Sequence, residues 1–237
     1  MKNLKTILAL LAVNVAFAGT PVETLIPVDH IYVPKGFDSN DNSEVILSGH
    51  LPNLCHKAPK TTVTQEGNKI LIEVTALKYH PTNPFCAEVL VPFVEPVSLG
   101  VLDKGIYDIV VNGKSIFRKE SSIFVTESTS PAIDENVYAN VDHVETEIGT
   151  RTVKLAGYNP SDCLEFQEVK VASNDKDTYA ILPIMKKVSD FCPMKMTPFK
   201  YEVEVPTELK KEAVLLHVRA MDGKSVNTLY YQDSSEE

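Results

Sequence analysis

Alternating apolar and polar positions dominate the chain and predict β-strands. Clear examples are residues 44–49 (E-V-I-L-S-G), 69–74 (K-I-L-I-E-V) and 106–111 (I-Y-D-I-V-V), which are separated by Gly, Pro, Asn and Asp. Asn112-Gly113 and Asp222-Gly223 each follow such a run, and both dipeptides favour tight hairpin turns. The pattern therefore predicts an all-β protein built from short strands.

The second half of the chain repeats the first half in order. Valine, leucine, glycine, proline and cysteine recur at identical spacing from Val45 to Cys55 and from Val153 to Cys163. A Phe-Cys pair followed by Pro-Phe also occurs twice, from Phe85 to Phe93 and from Phe191 to Phe199. So many ordered matches predict a structural duplication.

The duplication predicts two domains of about 100 residues, which is the usual domain size. We place them at residues 22–127 and 137–232, joined by a short polar linker at 128–136 and followed by an acidic tail at 233–237. Seven strands are predicted in each domain, and in the first they begin near residues 28, 44, 61, 69, 88, 105 and 114.

Seven short strands in about 100 residues are typical of an immunoglobulin-like antiparallel β-sandwich. The segment Leu102-x-x-Gly105-x-Tyr107 resembles the tyrosine corner of that fold, although the chain contains no Trp. The predicted fold is therefore two tandem immunoglobulin-like sandwiches.

The four cysteines predict two disulfide bonds, Cys55–Cys86 and Cys163–Cys192. Of the three possible connectivities, only this one treats the two repeats alike. Each bond closes a loop of about 30 residues and should stabilise the fold by about 3–4 kcal/mol. Closely spaced cysteine pairs, which a zinc site would need, do not occur.

Residues 1–18 have the pattern of a secretory signal peptide. Lys2 and Lys5 precede an apolar run, and Ala16-Phe17-Ala18 supplies a cleavage site. Cleavage would leave 219 of the 237 residues and, because two lysines are lost, would change the net charge from −9 to −11. We expect a periplasmic or secreted protein without a membrane span, and its acidity disfavours nucleic acid as a partner.

Three segments of the first repeat resemble exported bacterial immunoglobulin-like sandwich proteins that carry no assigned activity. They are G-F-D-S-N-D at 36–41, L-P-N-x-C at 51–55 and V-P-F at 91–93. The resemblance covers mainly the first domain, and it implies location and fold rather than chemistry.

The loop at residues 36–44 is a candidate calcium site. Asp38-x-Asn40-Asp41-Asn42 resembles the calcium-binding linker motif of cadherins, although Asp and Asn also build ordinary turns. The loop is five residues longer than its counterpart in the second repeat, so the scaffold does not require it. We expect this loop and the disulfide end of the second domain to face the domain junction. Oxygen ligands for calcium could converge there from Asp38, Asn40, Asp41, Asp134, Glu135, Asp162 and Asp190.

Other chemical motifs are weak. The Gly-Lys-Ser triplets at 113–115 and 223–225 lack the upstream glycine of a phosphate loop, and Ser173-x-x-Lys176 lacks its companion motifs. Met194 and Met196 could hold copper, but they are more typical of core filling. The six histidines are expected to be structural or on the surface, with a transition-metal site as the alternative at His50, His56 and His80.

The sequence thus favours an exported, non-catalytic binding or structural protein that acts through its β-sandwich surfaces on an unidentified protein or envelope component. A calcium-rigidified adhesion or envelope module is the alternative, and an uncharacterised hydrolase is the third hypothesis. We assign no catalytic residue and expect no cofactor other than calcium.

Overall fold

The computed structural model describes residues 20–79, 85–131, 134, 136–147, 149–209 and 211–231. The proposed signal peptide, His80, Glu135 and the tail at 233–237 lie outside these residues. The described chain forms sixteen β-strands and one short 3-10 helix. No helix in these ranges is long and apolar enough to cross a bilayer.

The first sandwich comprises strands β1–β8. Its smaller sheet has the order β2-β3-β6, and its larger sheet has the order β1-β5-β7-β8 with β4 also paired to β5. Neighbouring strands are antiparallel except for the parallel pair β5 and β7. The strands are β1 (Val22–Leu25), β2 (Val28–Tyr32), β3 (Asn42–Leu51), β4 (His56–Glu66), β5 (Lys69–Lys78), β6 (Val91–Val101), β7 (Gly105–Val111) and β8 (Lys119–Val125).

The second sandwich comprises strands β9–β16 and has the same strand order. One sheet is β10-β11-β14, and the other is β12-β13-β15-β16 with β9 paired to β13. Again one neighbouring pair, β13 and β15, is parallel. The strands are β9 (Val137–Tyr138), β10 (Val141–Thr146), β11 (Thr152–Asn159), β12 (Leu164–Ser173), β13 (Thr178–Lys187), β14 (Thr197–Glu204), β15 (Ala213–Ala220) and β16 (Lys224–Tyr231). The predicted fold of two tandem immunoglobulin-like sandwiches is confirmed.

Both disulfide bonds form as the repeat predicts. Cys55 is bonded to Cys86 and Cys163 to Cys192. In the first sandwich the bond joins the loop before β4 to the loop before β6. In the second sandwich it joins the loop before β12 to the loop before β14. The bonds therefore pin two loops at one end of each sandwich and do not cross the core between the sheets.

A glycine at equivalent positions allows a close approach of strands in each sandwich. A Cβ atom on Gly49 would lie 2.6 Å from the Pro27 carbonyl oxygen, and one on Gly157 would lie 2.1 Å from the Asn140 carbonyl oxygen. Both glycines pair with the start of the neighbouring strand, where a bulge shifts the register. The Gly shared by the two repeats is thus required by backbone contact.

The two predicted hairpin turns have different outcomes. Asp222-Gly223 forms the turn of the β15–β16 hairpin, with Ala220 paired to Lys224. After Asn112 a tight turn forms, in which the Ser115 N–H donates to the Asn112 carbonyl at 3.0 Å, and β7 and β8 pair as a hairpin, but the strand predicted near residue 114 is wrong, because β8 begins only at Lys119. Asn112 is buried. Its side chain accepts a hydrogen bond from the Val74 N–H at 2.9 Å and donates one to the Ile26 carbonyl at 3.0 Å.

The tyrosine corner forms, and it gives a first testable prediction. The Tyr107 hydroxyl donates a hydrogen bond to the Asp103 carbonyl at 3.0 Å. Tyr107→Phe should therefore lower the free energy of unfolding by about 0.5–1.5 kcal/mol in urea titrations, since a single hydrogen bond is lost. Tyr158→Phe is the matched control because Tyr158 is exposed. Equal effects of the two substitutions would contradict a structural role for the Tyr107 hydroxyl.

Candidate functional site at the junction of the sandwiches

The two sandwiches pack face to face, and we call this contact the junction. The outer face of the β2-β3-β6 sheet lies against the outer face of β15 and β16. Tyr32, Ile46 and Leu215 are buried there, with Val94 and Leu229 packed beside them. Ile46 points away from the core that its neighbours on β3 help to fill, yet its exposure is 0% because the second sandwich covers it.

A buried arginine joins both sandwiches at the centre of the polar part of the junction. Arg219, on β15, donates to the Asp41 carboxylate through Nη1 at 3.1 Å and Nη2 at 2.8 Å. Nη2 also donates to Asp134 Oδ1 at 2.6 Å, and Nη1 donates to the Gly36 carbonyl at 3.0 Å. Such a two-pronged contact is the strong form of a charge-assisted hydrogen bond.

Aromatic rings complete the surroundings of this arginine. The guanidinium carbon lies 5.3 Å from the ring centroid of Phe37 and 5.3 Å from that of Tyr138. Phe37 belongs to the inserted loop of the first sandwich, and Tyr138 to β9 of the second. The rings attract the cation by their quadrupoles and exclude water from it.

The electrostatics follow from burial and pairing. Burial alone would lower the pKa of Arg219, but the hydrogen bonds and charge of Asp41 raise it above its ordinary value. Burial raises the pKa of Asp134; the charge of Arg219 acts against this, and the carboxylates of Asp41 and Asp38 add to the increase. Both pKa values are raised, which favours the charged form of Arg219 and the neutral form of Asp134; the two-pronged contact belongs to Asp41.

A second polar cluster lies beside the arginine. His217, also on β15, is fully buried, and its Nδ1 is 2.9 Å from Asn227 Oδ1 and 3.3 Å from Glu44 Oε1. Both neighbours are acceptors, so Nδ1 carries the proton of the neutral ring. Within the described residues Nε2 has no hydrogen-bond partner. Burial lowers the pKa of His217 below its ordinary value of 6.5.

The rim of the junction is formed by the turn between β12 and β13. His30 Nε2 lies 2.7 Å from Asp177 Oδ2, and Asn174 donates to the Val33 carbonyl at 3.1 Å. Burial would raise the pKa of Asp177, but hydrogen bonds from His30, Asn174 and Thr178 lower it overall. The rim therefore adds a second polar contact between the two sandwiches, at His30 of β2, apart from the contact that Arg219 makes.

The structure brings together only some of the proposed calcium ligands. Asp38, Asp41 and Asp134 are close enough to act on one another electrostatically, and Asn40 donates to Ser128 Oγ at 2.6 Å. Asp162 pairs instead with Lys195 at 2.9 Å. Asp190 is exposed, and Glu135 lies outside the described residues. In the part of the chain that the structure describes, no group of three or more His, Cys, Asp or Glu is arranged to hold a metal ion. The calcium hypothesis stays a prediction.

The remaining candidates have ordinary partners. His50 pairs with Asp29, His56 lies 2.8 Å from Asn53 Oδ1, and His143 lies 3.5 Å from Glu145. Thus His30 and His143, which are equivalent in the repeat, contact different acids. Met194 and Met196 are exposed, so they do not fill the core.

Sequence reasoning missed the arginine, although a signal exists in β15. The strand reads A-V-L-L-H-V-R-A, with Leu215, His217 and Arg219 at alternate positions. Alternate positions share one face of a strand, so the polar pair marks a face that must find polar partners outside its own core. The partners are supplied by the first sandwich.

A pH dependence follows from His217. A folded-state pKa below the unfolded value means that the unfolded chain takes up this proton first as the pH falls. We expect stability to be full above about pH 6.5 and to fall below it by at most about 1.4 kcal/mol per pH unit for this one group. His217→Gln should flatten the urea-measured slope between about pH 6.5 and 5, and the exposed His143→Gln should not. An unchanged slope in His217→Gln would show that this ring does not titrate with unfolding.

Comparison with known proteins adds a family for part of the chain. Residues 45–121 match the model of the ORF11 beta-sandwich domain family. No curated protein matches the chain, and no solved structure does. The matched segment runs from within β3 to the start of β8, so it falls in the first sandwich. The fold and this match together define a β-sandwich protein.

Proposed function

We propose that this chain is an exported, non-catalytic binding or structural protein whose two sandwiches, a tandem repeat, act as one rigid unit. The observation that carries the proposal is the burial of Arg219 between acids and rings of both sandwiches. Separating the sandwiches would break these hydrogen bonds and expose the apolar side chains of Tyr32, Ile46 and Leu215 to water, which costs free energy. The relative orientation of the outer surfaces is thereby fixed, as a binding or scaffolding protein requires.

Export is supported by the sequence of residues 1–18 and by the disulfides. Both cysteine pairs are bonded, and such bonds persist in oxidising compartments. We infer cleavage after Ala18 and residence in the periplasm or outside the cell. The partner would then be an exported protein or an envelope component.

A non-catalytic role is supported by how the polar groups at the junction are used. The Arg219 guanidinium is shared among Asp41, Asp134 and Gly36, and Glu44 accepts from Ser225 while facing His217. These groups hold the two sandwiches together.

The alternative of a calcium-stiffened adhesion or envelope module rests on the proximity of Asp38, Asp41 and Asp134. Arg219 already supplies a positive charge between two of these carboxylates. Calorimetry of the mature protein, residues 19–237, with calcium decides between the two. Binding heat that is lost in Asp38→Ala plus Asp41→Ala would support the alternative.

The main proposal is tested by affinity capture and by assay. Immobilised mature protein should capture a defined component from envelope extracts, equally with and without calcium, and a component mapped to its surface by cross-linking would support the proposal. A panel of hydrolase substrates should show no turnover. Turnover that a point substitution removes would overturn the non-catalytic assignment.

A further inference from the structure

The ring of His217 is buried between the two sandwiches, beside Arg219. It lies on the outer face of β15 and is 1% exposed. The edge of the ring packs against Phe37 of the first sandwich, with 5.8 Å between ring centroids, and Glu44 of β3 lies beside it. Because both neighbours belong to the other sandwich, opening the junction would uncover the ring.

The hydrogen bonds around His217 leave no acceptor for a second ring proton. Asn227 donates through Nδ2 to Ser225 Oγ at 2.8 Å, so its Oδ1 is oriented to accept from His217 Nδ1. Glu44 Oε1 also faces Nδ1, at 3.3 Å. The other ring nitrogen, Nε2, is buried and has no hydrogen-bond partner among the described residues. A proton taken up by the closed junction would therefore create a buried N–H that nothing accepts from.

The charges around the ring act in both directions. Glu44 on β3 favours the imidazolium, whereas Arg219, two positions away on β15, disfavours it. A cleft of about 160 Å³ adjoins this cluster, and the other charged residues that line it are Asp41, Asp134, Asp222 and Lys224. Burial has the largest influence and lowers the pKa of His217 although Glu44 and Asn227 act against it. The closed junction thus favours the neutral ring.

This histidine occurs only in the strand that makes the junction. Strand β7 is the counterpart of β15 in sheet order, reads G-I-Y-D-I-V-V and contains no histidine. Its outward-facing Ile106 is 60% exposed, so the described chain leaves that face uncovered. A sandwich of this fold therefore does not require a histidine on this face.

We propose that His217 makes the junction sensitive to pH: a proton taken up by its ring opens the contact between the two sandwiches without unfolding either one. In the open form both N–H groups of the imidazolium face water, which accepts from them. Opening also uncovers the apolar side chains of Ile46 and Leu215. This inference rests on the proposed function as one rigid unit and adds its regulation by pH.

The direction of the effect follows from proton linkage. An exposed histidine titrates near pH 6.5, and the closed junction holds the pKa of His217 below that value. The open form therefore takes up the proton first as the pH falls. The equilibrium constant for opening should rise below about pH 6.5, by at most about tenfold per pH unit, because one proton is bound on opening.

Asp134 acts in the opposite direction. Burial raises the pKa of Asp134 in the closed junction, so proton uptake by this carboxylate favours the closed form. Comparison of wild type with His217→Gln at the same pH separates the two groups, because Asp134 is present in both proteins. His217→Gln keeps an N–H donor for Asn227 and cannot take up a proton.

Methyl relaxation dispersion of the mature protein at pH 7.5 and 5.0, with residual dipolar couplings at both pH values, tests the proposal. The Ile46 and Leu215 methyl groups should report an open form whose population rises severalfold, and at most about thirtyfold, on acidification. In His217→Gln the population should not rise. His143→Gln is the matched control, because His143 is exposed, and it should behave as wild type does.

Glu44→Gln keeps the test decisive if His217→Gln fails to fold. It removes the charge that favours the imidazolium in the closed junction and keeps an oxygen that can accept from Ser225. The pKa of His217 in the closed form should fall further, so the open population should rise more steeply on acidification than in wild type. A purely structural role of Glu44 would instead raise the open population equally at both pH values, and that result would contradict the proposal.

The possible failures are distinguishable. An open population that is the same at pH 7.5 and 5.0, with one alignment tensor fitting both sandwiches, would refute the pH-sensitive junction and leave the rigid unit standing. An equal rise in wild type and His217→Gln, or signals of unfolded sandwiches in place of an open form, would overturn the role of His217. Two different tensors in the wild type at pH 7.5 would contradict the rigid unit and this inference with it.

Discussion

Arg219→Ala is expected to lower the free energy of unfolding by about 3–5 kcal/mol and to loosen the junction. The substitution leaves Asp41, which is 4% exposed, and the half-buried Asp134 without their counter-charge. Removing one member of a buried ion pair has this cost because the other charge stays desolvated. Chemical denaturation at pH 7 measures the loss, and hydrogen exchange locates it at β3, β15 and β16.

Arg118→Ala is the matched control, because Arg118 pairs with Glu120 at the exposed surface. Its effect should not exceed about 1 kcal/mol. Arg219→Met combined with Asp41→Asn and Asp134→Asn should recover much of the loss, since no buried charge then lacks a partner. Arg219→Ala with a loss as small as that of Arg118→Ala would show that the ionic cluster does not hold the sandwiches together.

Ile46→Lys is expected to open the junction with a loss of at least about 3 kcal/mol. Ile46 is 0% exposed, and the second sandwich covers it. An ammonium group placed there has no partner and would lose its hydration, so the contact is better broken than kept. The loss of unfolding free energy cannot exceed what the junction contributes. In denaturation curves the two sandwiches should then unfold in separate transitions, at lower denaturant concentration than in the wild type.

The repeat supplies the control for this substitution. The position equivalent to Ile46 in β11 is occupied by Lys154, which is partly exposed. Strand β3 can therefore carry a lysine at this position as far as its own sandwich is concerned. Lys154→Ile should change stability by no more than about 0.5 kcal/mol. Similar losses from the two substitutions would contradict the face-to-face junction.

The sequence predicted the fold class and the disulfides because those features follow from local pattern and from duplication. Alternation on β3 and β11 places valine and leucine in the core of each sandwich, and the shared Gly49 and Gly157 sit where strands approach closely. Each repeat carries two cysteines at a similar separation, 31 and 29 positions, which left one pairing that treats the repeats alike. Each of these features is formed by contacts within a single sandwich.

The junction could not be predicted in the same way. Strand counting led us to expect contact between ends of the sandwiches, with Asp162 and Asp190 near the acidic loop, whereas the described contact joins the faces of two sheets. A short linker limits the distance between two bodies but not their rotation. The uninterrupted apolar runs Val45-Ile46-Leu47 and Val214-Leu215-Leu216 were the available signal, since an apolar residue on the outward side indicates burial on both faces.

The acidic loop shows that one sequence pattern is compatible with two ways of neutralising buried carboxylates, by a metal ion or by a side chain. Carboxylates gathered on a loop require a positive charge when they are buried, and the motif alone does not say whether a metal ion or a side chain supplies it. Here Arg219 lies on a strand 178 positions away from Asp41. No spacing rule within the loop could have identified that partner.

The rigidity of the junction is tested most directly by residual dipolar couplings of the mature protein in a dilute aligned medium at pH 7. If the sandwiches form one rigid unit, a single alignment tensor fits the backbone couplings of both, and Arg219→Ala requires two tensors of different magnitude. Two different tensors in the wild-type protein would contradict a fixed junction, and with it the proposal that the two sandwiches act as one unit.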